Sequence, residues 1–154
     1  MTVYLDSTAL VKLYIPEVHS AIVVEFVRSL KDPLLFSHLH EIEVKNAIRL
    51  KTFRRELPPR LAAMAIRSVE KDVTAQILIR PNLNWTDIYR KAIELSNRFS
   101  SRLGSRSLDL LHVATCLLIP CPDFLTFDER QMTVAKKSGL HLLRLRGTQR
   151  KNLH

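Results

Sequence analysis

The sequence predicts an α/β fold with a short, mostly parallel central sheet covered by helices on both faces. Strand-like and helix-like segments alternate along the chain. The strand-like segments are short and apolar, which is typical of parallel strands buried on both faces. The 154 residues, of which 46% are hydrophobic and 25% charged, suffice for one domain with its own core. We therefore expect a domain over residues 1–146, followed by a basic tail over residues 147–154.

The first half of the chain is predicted to form two strands and four helices. In order, these are a strand at 3–5, helices at 9–14 and 21–30, a strand at 34–36, and helices at about 39–57 and at 61–73. Ser7 and Thr8 are residue types that favour the start of a helix. Pro16 ends the first helix and can occupy the first turn of the second. The pair Pro58 and Pro59 ends the third helix and can open the fourth.

The second half begins with a short apolar stretch, a candidate minor strand. The predicted elements are this stretch at 76–80, helices at 85–99 and 108–119, a strand at 124–127, a helix at 129–138 and a last strand at 140–145. Gly139 is a suitable residue to close the last helix. No repeat or linker divides the chain, which favours a single domain.

The charge balance favours a polyanionic partner. The chain carries 24 Lys and Arg against 15 Asp and Glu, which gives a formal net charge of +9 and a pI near 10.0. Such a charge suits nucleic acid, an anionic membrane surface or an acidic protein. A solvated basic surface without a partner is the alternative interpretation.

The remaining bulk features predict a cytoplasmic protein. Cys116 and Cys121 form no CxxC pair, and two unbridged thiols fit a reducing compartment. The longest apolar stretch, 110–121, is interrupted by His112 and Pro120 and is too short to span a bilayer. An aspartate stands in the N-terminal region, where an export signal would carry basic residues.

Four acidic residues stand where a sheet of this kind binds ligands. Asp6 and Asp128 each follow a strand and precede a helix, so we expect them to face each other across the carboxyl edge of the sheet. Each could instead be a helix N-cap. Glu43 lies on a partly apolar face of the third helix. Asp109 opens the most apolar helix, either as a partner of the helix dipole or as a ligand turned into a pocket.

Such carboxylates cannot converge without a counter-ion, because like charges raise one another's pKa. A divalent cation would resolve the repulsion. An all-oxygen set without a His/Cys cluster at zinc spacing favours Mg²⁺ or Mn²⁺. An ion of this kind can activate water and stabilise a leaving oxygen, as phosphodiester hydrolysis requires.

Four motifs, VYLDSTALVKLY, FSHLHEIEVKNAIRL, SRSLDLLHVATCLL and FLTFDERQMTVAKKSGL, resemble in this order those of the PIN-domain family, and within it the VapC-type toxins. The resemblance implies a three-layer α/β/α PIN-like fold and a Mg²⁺- or Mn²⁺-dependent endoribonuclease. It places the catalytic and metal-binding acids on Asp6, Glu43, Asp109 and Asp128. Asp128 can act through water, and Asp123 is a weaker substitute for it. The resemblance also implies a homodimer and, for VapC-type members, a cognate antitoxin.

Hydroxyl and basic side chains are expected to assist the acids. The supporting hydroxyls are those of Ser7, Thr8 and Thr126. Basic residues would draw in RNA that an acidic centre alone repels. The candidates for RNA binding are Lys12, Arg49, Arg54 and Arg55, although Lys12 could be an ordinary surface lysine. His112 lies one turn after Asp109 and could support the centre, but a core histidine is the preferred interpretation.

Other functions also begin with an aspartate after the first strand. A phosphatase of the haloacid-dehalogenase type needs a second acid two residues later, where this chain has Thr8. A receiver domain needs paired acids at that point, and Asp6 stands alone. Two alternatives stay open: a catalytically silent RNA- or protein-binding module, and a PIN nuclease that processes RNA without an antitoxin.

Overall fold

The structure, a computed structural model, describes residues 2–121 and 123–146. The predicted tail at 147–154 lies outside these residues. In chain order the elements are β1 Val3–Leu5, α1 Ser7–Val11, α2 Ser20–Ser29, β2 Leu34–Leu35, α3 His38–Phe53, α4 Pro59–Thr74, β3 Leu78–Ile79, α5 Trp85–Leu103, α6 Ser107–Leu118, β4 Asp123–Leu125, α7 Glu129–Lys137 and β5 His141–Leu142.

The strands form parallel ladders. β4 pairs with β1 on one side and with β5 on the other, which gives a three-stranded sheet in the order β1-β4-β5. β2 and β3 form a second parallel ladder. Because β2 contacts β1, the two ladders are neighbours. The predicted short parallel sheet is confirmed, although it is divided into two ladders.

Side chains of the central strands alternate between two hydrophobic clusters. Val3 and Leu5 of β1 and Leu125 of β4 pack with apolar residues of α1 to α4. Tyr4 and Phe124, from the same strands, pack mainly with residues of α5, α6 and α7. Both faces of the sheet are therefore covered, which explains why the strands carry apolar residues without polar alternation. The arrangement is the predicted three-layer α/β/α fold.

Three helix boundaries in the first half differ from the prediction. α1 ends at Val11, and the backbone hydrogen bonds of Leu13 and Tyr14 that follow it span three residues, as in turns. α2 begins at Ser20, so Pro16 lies in the preceding loop and not in the first turn of the helix. α3 ends at Phe53, before the proline pair, because the backbone turns left-handed at Arg55 (φ 60°). Such a turn is a local feature that apolar spacing does not reveal.

The second half differs mainly in length. α5 continues to Leu103 and ends at Gly104, whose φ of 62° is a left-handed C-cap that glycine adopts without strain. β4 covers Asp123–Leu125 and β5 only His141–Leu142, so both strands are shorter than predicted at their carboxyl ends.

Two bulk predictions can be compared with the described residues. Cys116 and Cys121 are both free, as expected, and both are buried. Among the helices of residues 2–121 and 123–146, none is long and apolar enough to cross a membrane.

Candidate active site

Asp6 lies at the carboxyl end of β1 and is 1% exposed. It caps α1 by accepting a hydrogen bond from the backbone N–H of Ala9 at 2.9 Å. The hydroxyls of Thr8 (2.8 and 2.9 Å) and Thr126 (2.7 Å) also donate to its carboxylate. Burial raises the pKa of Asp6, while His112 and these hydrogen bonds act in the opposite direction. Asp6 is therefore both the cap and an immobilised acid at the sheet edge.

Glu43, in the second turn of α3, is held by two donors. The Ser7 hydroxyl donates to Glu43 Oε2 at 2.9 Å, and His112 Nε2 forms a short contact with the same oxygen. The Tyr4 hydroxyl lies 2.8 Å from His112 Nδ1. A proton on Nε2 suits the carboxylate and leaves Nδ1 to accept from Tyr4. Burial would raise the pKa of Glu43, but His112 and Ser7 outweigh it, so the pKa is lowered.

The start of α3 is tied to β1 through a buried histidine. His40 and Ser37 form a capping box, in which Ser37 N–H donates to His40 Nδ1 at 3.0 Å. His40 Nε2 then donates to the carbonyl of Leu5 at 2.9 Å. Burial lowers the pKa of His40 well below its ordinary value, which keeps the ring neutral for this role. This link fixes the first turns of α3, and with them Glu43, against the carboxyl end of β1.

Asp109 and Asp128 are joined by one arginine. Arg106 Nε lies 3.0 Å from Asp109 Oδ2, and Arg106 Nη2 lies 2.9 Å from Asp128 Oδ2. Gln131 Nε2 donates to Asp109 Oδ1 at 3.3 Å. Asp128 caps α7 through its Oδ1, which accepts from the backbone N–H groups of Arg130 (2.9 Å) and Gln131 (3.0 Å).

We call Asp6 and Glu43 with their donors the inner half of the centre, and Asp109 and Asp128 with Arg106 the outer half. The halves are linked at Thr126, whose hydroxyl donates to Asp6 and accepts from the N–H of Asp128 at 3.0 Å. The halves are also linked electrostatically. Burial raises the pKa of Glu43 and His112 lowers it, and Arg106 of the outer half adds a weaker lowering effect. The structure thus brings the four predicted acids to one edge of the sheet, together with the three supporting hydroxyls.

The donor set fits a hard divalent cation. Four carboxylates supply the oxygen ligands that Mg²⁺ and Mn²⁺ prefer. The amide oxygen of Gln131, whose nitrogen contacts Asp109, is buried without a hydrogen-bond partner, and the water shell of a hydrated cation could satisfy it. Within residues 2–121 and 123–146, no three His, Cys, Asp or Glu side chains are already grouped at metal-holding distances. The carboxylates instead contact other side chains: Asp109 and Asp128 contact Arg106, and Glu43 contacts His112.

The predicted RNA-binding residues lie outside this cluster. Lys12 forms an ion pair with Glu17 at 3.0 Å and lies 5.0 Å over the ring of Phe127, the neighbour of Asp128. The three arginines (Arg49, Arg54 and Arg55) are exposed, at or beyond the C-terminal part of α3. Arg54 follows Glu43 by eleven residues, which corresponds to about 16 Å along a helix. The structure therefore does not bring these arginines to the acids.

Sequence reasoning missed Arg106 and Gln131 as parts of the centre. The available signal was their spacing, since each lies three residues from a predicted acid along the chain. For His112 the preferred interpretation was a core histidine. The structure supports that choice, since His112 is 1% exposed, and adds the contact with Glu43.

Comparison with known proteins identifies a family and a structural relative. The PIN domain family profile matches residues 3–137. The crystal structure of VapC20 from Mycobacterium tuberculosis, described as a sarcin–ricin loop cleaving toxin, is similar with a TM-score of 0.66 and 14% identity, over 90% of this chain and 96% of that chain. At this identity the likeness shows a shared fold. No individual curated protein matches the sequence.

Proposed function

This chain belongs to the PIN domain family, and on that premise we propose that it is a metal-dependent endoribonuclease and the toxin of a toxin–antitoxin pair. The observation that carries the proposal is the convergence of four carboxylates, from two strand exits and two helices, at one edge of the sheet. The fold shared with VapC20, a sarcin–ricin loop cleaving toxin, supports RNA as the substrate.

Asp6, Glu43 and Asp109 would hold Mg²⁺ or Mn²⁺ directly, and Asp128 would do so through water. When bound, such an ion lowers the pKa of water and offsets the charge that develops on a phosphodiester during hydrolysis. The chain's own contribution is to fix the carboxylates before substrate arrives. This preorganisation avoids the cost of ordering them during the reaction.

The inner half is preorganised by donors that cannot move freely. Thr8, Thr126 and Ala9 hold Asp6 through the hydrogen bonds described above, and Ser7 and His112 hold Glu43. Burial raises the pKa of Glu43, but His112 and Ser7 lower it by more. The net pKa is lowered, so this side chain is ionised at neutral pH. An ionised Glu43 can accept a proton from an attacking water or hold a cation.

Attraction of RNA is assigned to the basic surface as a whole. The net charge of +9 favours a polyanion. The exposed side chains of Arg49, Arg54 and Arg55 would contribute at a distance from the acids, as would Lys12 to the extent that it can leave Glu17. Affinity that depends on such charges falls as salt concentration rises.

The toxin role carries further proposals. We propose that the protein acts in the cytoplasm as a homodimer and that a cognate antitoxin inhibits it, with a basic side chain offered to the acidic centre. Expression of the wild type alone should then arrest growth, and Asp6→Asn should abolish the arrest. Equal toxicity of the two chains would contradict the toxin role.

The ribonuclease proposal is tested with purified protein and a structured RNA, with Mn²⁺ or with EDTA. We expect cleavage with Mn²⁺ only, and its loss in Asp6→Asn. Asp87→Asn, which makes the same chemical change on the exposed side of α5, is the control and should cleave like the wild type. No cleavage by the wild type would favour the catalytically silent binding module. Full activity of Asp6→Asn would contradict the proposed active centre.

A further inference from the structure

Arg106 is the N-cap residue of α6, yet its side chain makes no capping hydrogen bond. Its guanidinium contacts Oδ2 of Asp109 at 3.0 Å and Oδ2 of Asp128 at 2.9 Å. We propose that Arg106 is a displaceable internal cation, which neutralises Asp109 and Asp128 in the metal-free protein and competes with a divalent ion for these two carboxylates. The inference rests on the proposed metal-dependent function and adds a control on how the centre is loaded.

The contacts of the two aspartates are divided between two sets of groups. Both Oδ1 atoms accept hydrogen bonds from α7: Gln131 Nε2 donates to Asp109, and backbone N–H groups donate to Asp128. Asp109 Oδ1 also accepts a longer hydrogen bond from Arg106 Nη2, at 3.5 Å. The closest contacts of Arg106 are with both Oδ2 atoms. If Arg106 withdraws, the α7 donors still hold both carboxylates in place. Arg106 therefore neutralises these acids without being needed to position them.

Exposure makes Arg106 able to leave. Its side chain is 64% exposed, while the carboxylates it joins are 10% (Asp109) and 20% (Asp128) exposed. His112, which faces Glu43 in the inner half, is 1% exposed and is also held by Tyr4. Only the outer half thus has a neutralising group that can move into solvent without opening the core.

Arg106 and a divalent ion compete for Asp109 and Asp128 for two reasons, charge and space. A guanidinium and a divalent ion repel each other at short range. An oxygen that accepts a hydrogen bond from Arg106 also has one fewer lone pair for an ion such as Mg²⁺, which binds oxygen ligands at about 2.0–2.1 Å. Loading of the outer half therefore requires Arg106 to swing away. The released guanidinium stays at the mouth of the centre, where an RNA phosphate offers it a new bidentate partner.

The test is calorimetric titration of Mn²⁺ into the wild type, Arg106→Gln, Arg106→Lys and Arg102→Gln. Arg102 is an exposed arginine near the end of α5, so its variant removes the same charge without touching the acids. We expect Arg106→Gln to bind Mn²⁺ about two- to fivefold more tightly than Arg102→Gln, the range expected for exposed ion pairs. Arg106→Lys, which keeps the charge but loses the planar fork, should lie between them.

A second measurement separates competition from a structural role. Without metal, Arg106→Gln should melt at a lower temperature than Arg102→Gln, because Asp109 and Asp128 lose their shared counter-ion. Saturating Mn²⁺ should remove that difference. Equal or weaker Mn²⁺ binding by Arg106→Gln would overturn the inference. If that result came with Mn²⁺-dependent RNA cleavage, only the inference would fail. If Mn²⁺ bound as expected but RNA stayed intact, only the ribonuclease proposal would fail.

Discussion

The two halves of the acidic centre hold equal numbers of carboxylates but stabilise them differently. In the inner half, Asp6 and Glu43 are bound by hydroxyls, a backbone N–H and a buried imidazole. In the outer half, Asp109 and Asp128 share Arg106, whose side chain is mostly in solvent. Buried donors fix a carboxylate in place, whereas an exposed arginine mainly neutralises its charge.

Under the proposed function, this difference suits the two halves to different tasks. Carboxylates held by donors that are themselves fixed in the fold keep their geometry whether or not a cation is present, so the inner half suits the proposed catalysis. The contribution of an exposed ion pair is small and reversible. The outer half therefore suits the admission of a metal and of substrate. Four substitutions, in Glu43, His112, Tyr4 and Asp128, test this division by their effects on cleavage or on stability.

The largest effect is expected from Glu43→Gln. The substitution keeps the shape of the side chain and its contact with Ser7, but it removes the negative charge. We expect Mn²⁺-dependent RNA cleavage to fall by about a thousandfold, since the loss of a metal-holding charge costs several kcal/mol of transition-state stabilisation. Initial cleavage rates measure this effect. Glu94→Gln, on the exposed face of α5, is the control and should retain the wild-type rate.

A large effect on stability is expected from His112→Ala. The substitution leaves a cavity in the core and removes the partner of both Tyr4 and Glu43. We expect the free energy of unfolding to fall by about 3 kcal/mol, as measured by urea denaturation. His141→Ala removes a histidine whose side chain is 70% exposed, and it should change stability by less than about 0.5 kcal/mol. Similar losses for the two variants would show that the inner half is not a rigid unit.

A moderate effect is expected from Tyr4→Phe, which removes one hydroxyl and little else. His112 Nδ1 then loses its donor inside the core, and we expect a loss of about 1–2 kcal/mol in unfolding free energy. Tyr89→Phe is the matched control, because Tyr89 is 55% exposed. An unchanged stability of Tyr4→Phe would argue that this hydrogen bond does not support the inner half.

The smallest effect is expected from Asp128→Asn. The variant weakens the pairing with Arg106, but asparagine is as good an N-cap as aspartate, so α7 keeps its start. We expect the unfolding free energy to change by about 0.5 kcal/mol or less. Asp128→Ala also removes the cap and should cost about 1 kcal/mol. A large loss in Asp128→Asn would mean that the outer half is as rigid as the inner half.

Much of the fold was predictable because it depends on local chemistry. Short apolar runs followed by acids and helix-starting residues predicted β1, β4 and the helices after them. The errors concern local backbone events: the left-handed residues Arg55 and Gly104 decide where α3 and α5 end. β4 stops at Leu125, and the Thr126 hydroxyl then binds Asp6. Apolar periodicity carries no information on either kind of event.

The candidate site was predictable as a set of acids but not as a network. Strand exits and the family motifs predicted the four carboxylates, and the parallel sheet explains why Asp6 and Asp128 lie at the same edge. The role of Arg106 depends on a side chain that reaches from the start of α6 to the start of α7, and only the tertiary fold brings these two helix starts together. The same holds for Gln131, and for the contact of His112 with Glu43 across 69 positions of the sequence.

The most direct test compares Asp6→Asn with Asp128→Asn in one Mn²⁺-dependent RNA cleavage assay. Each variant changes one carboxylate to an amide at an N-cap, one in each half. We predict that Asp6→Asn lowers the cleavage rate by about a thousandfold and Asp128→Asn by only about tenfold. Equal losses, or a larger loss in Asp128→Asn, would contradict the division of the centre into a catalytic inner half and an adjustable outer half.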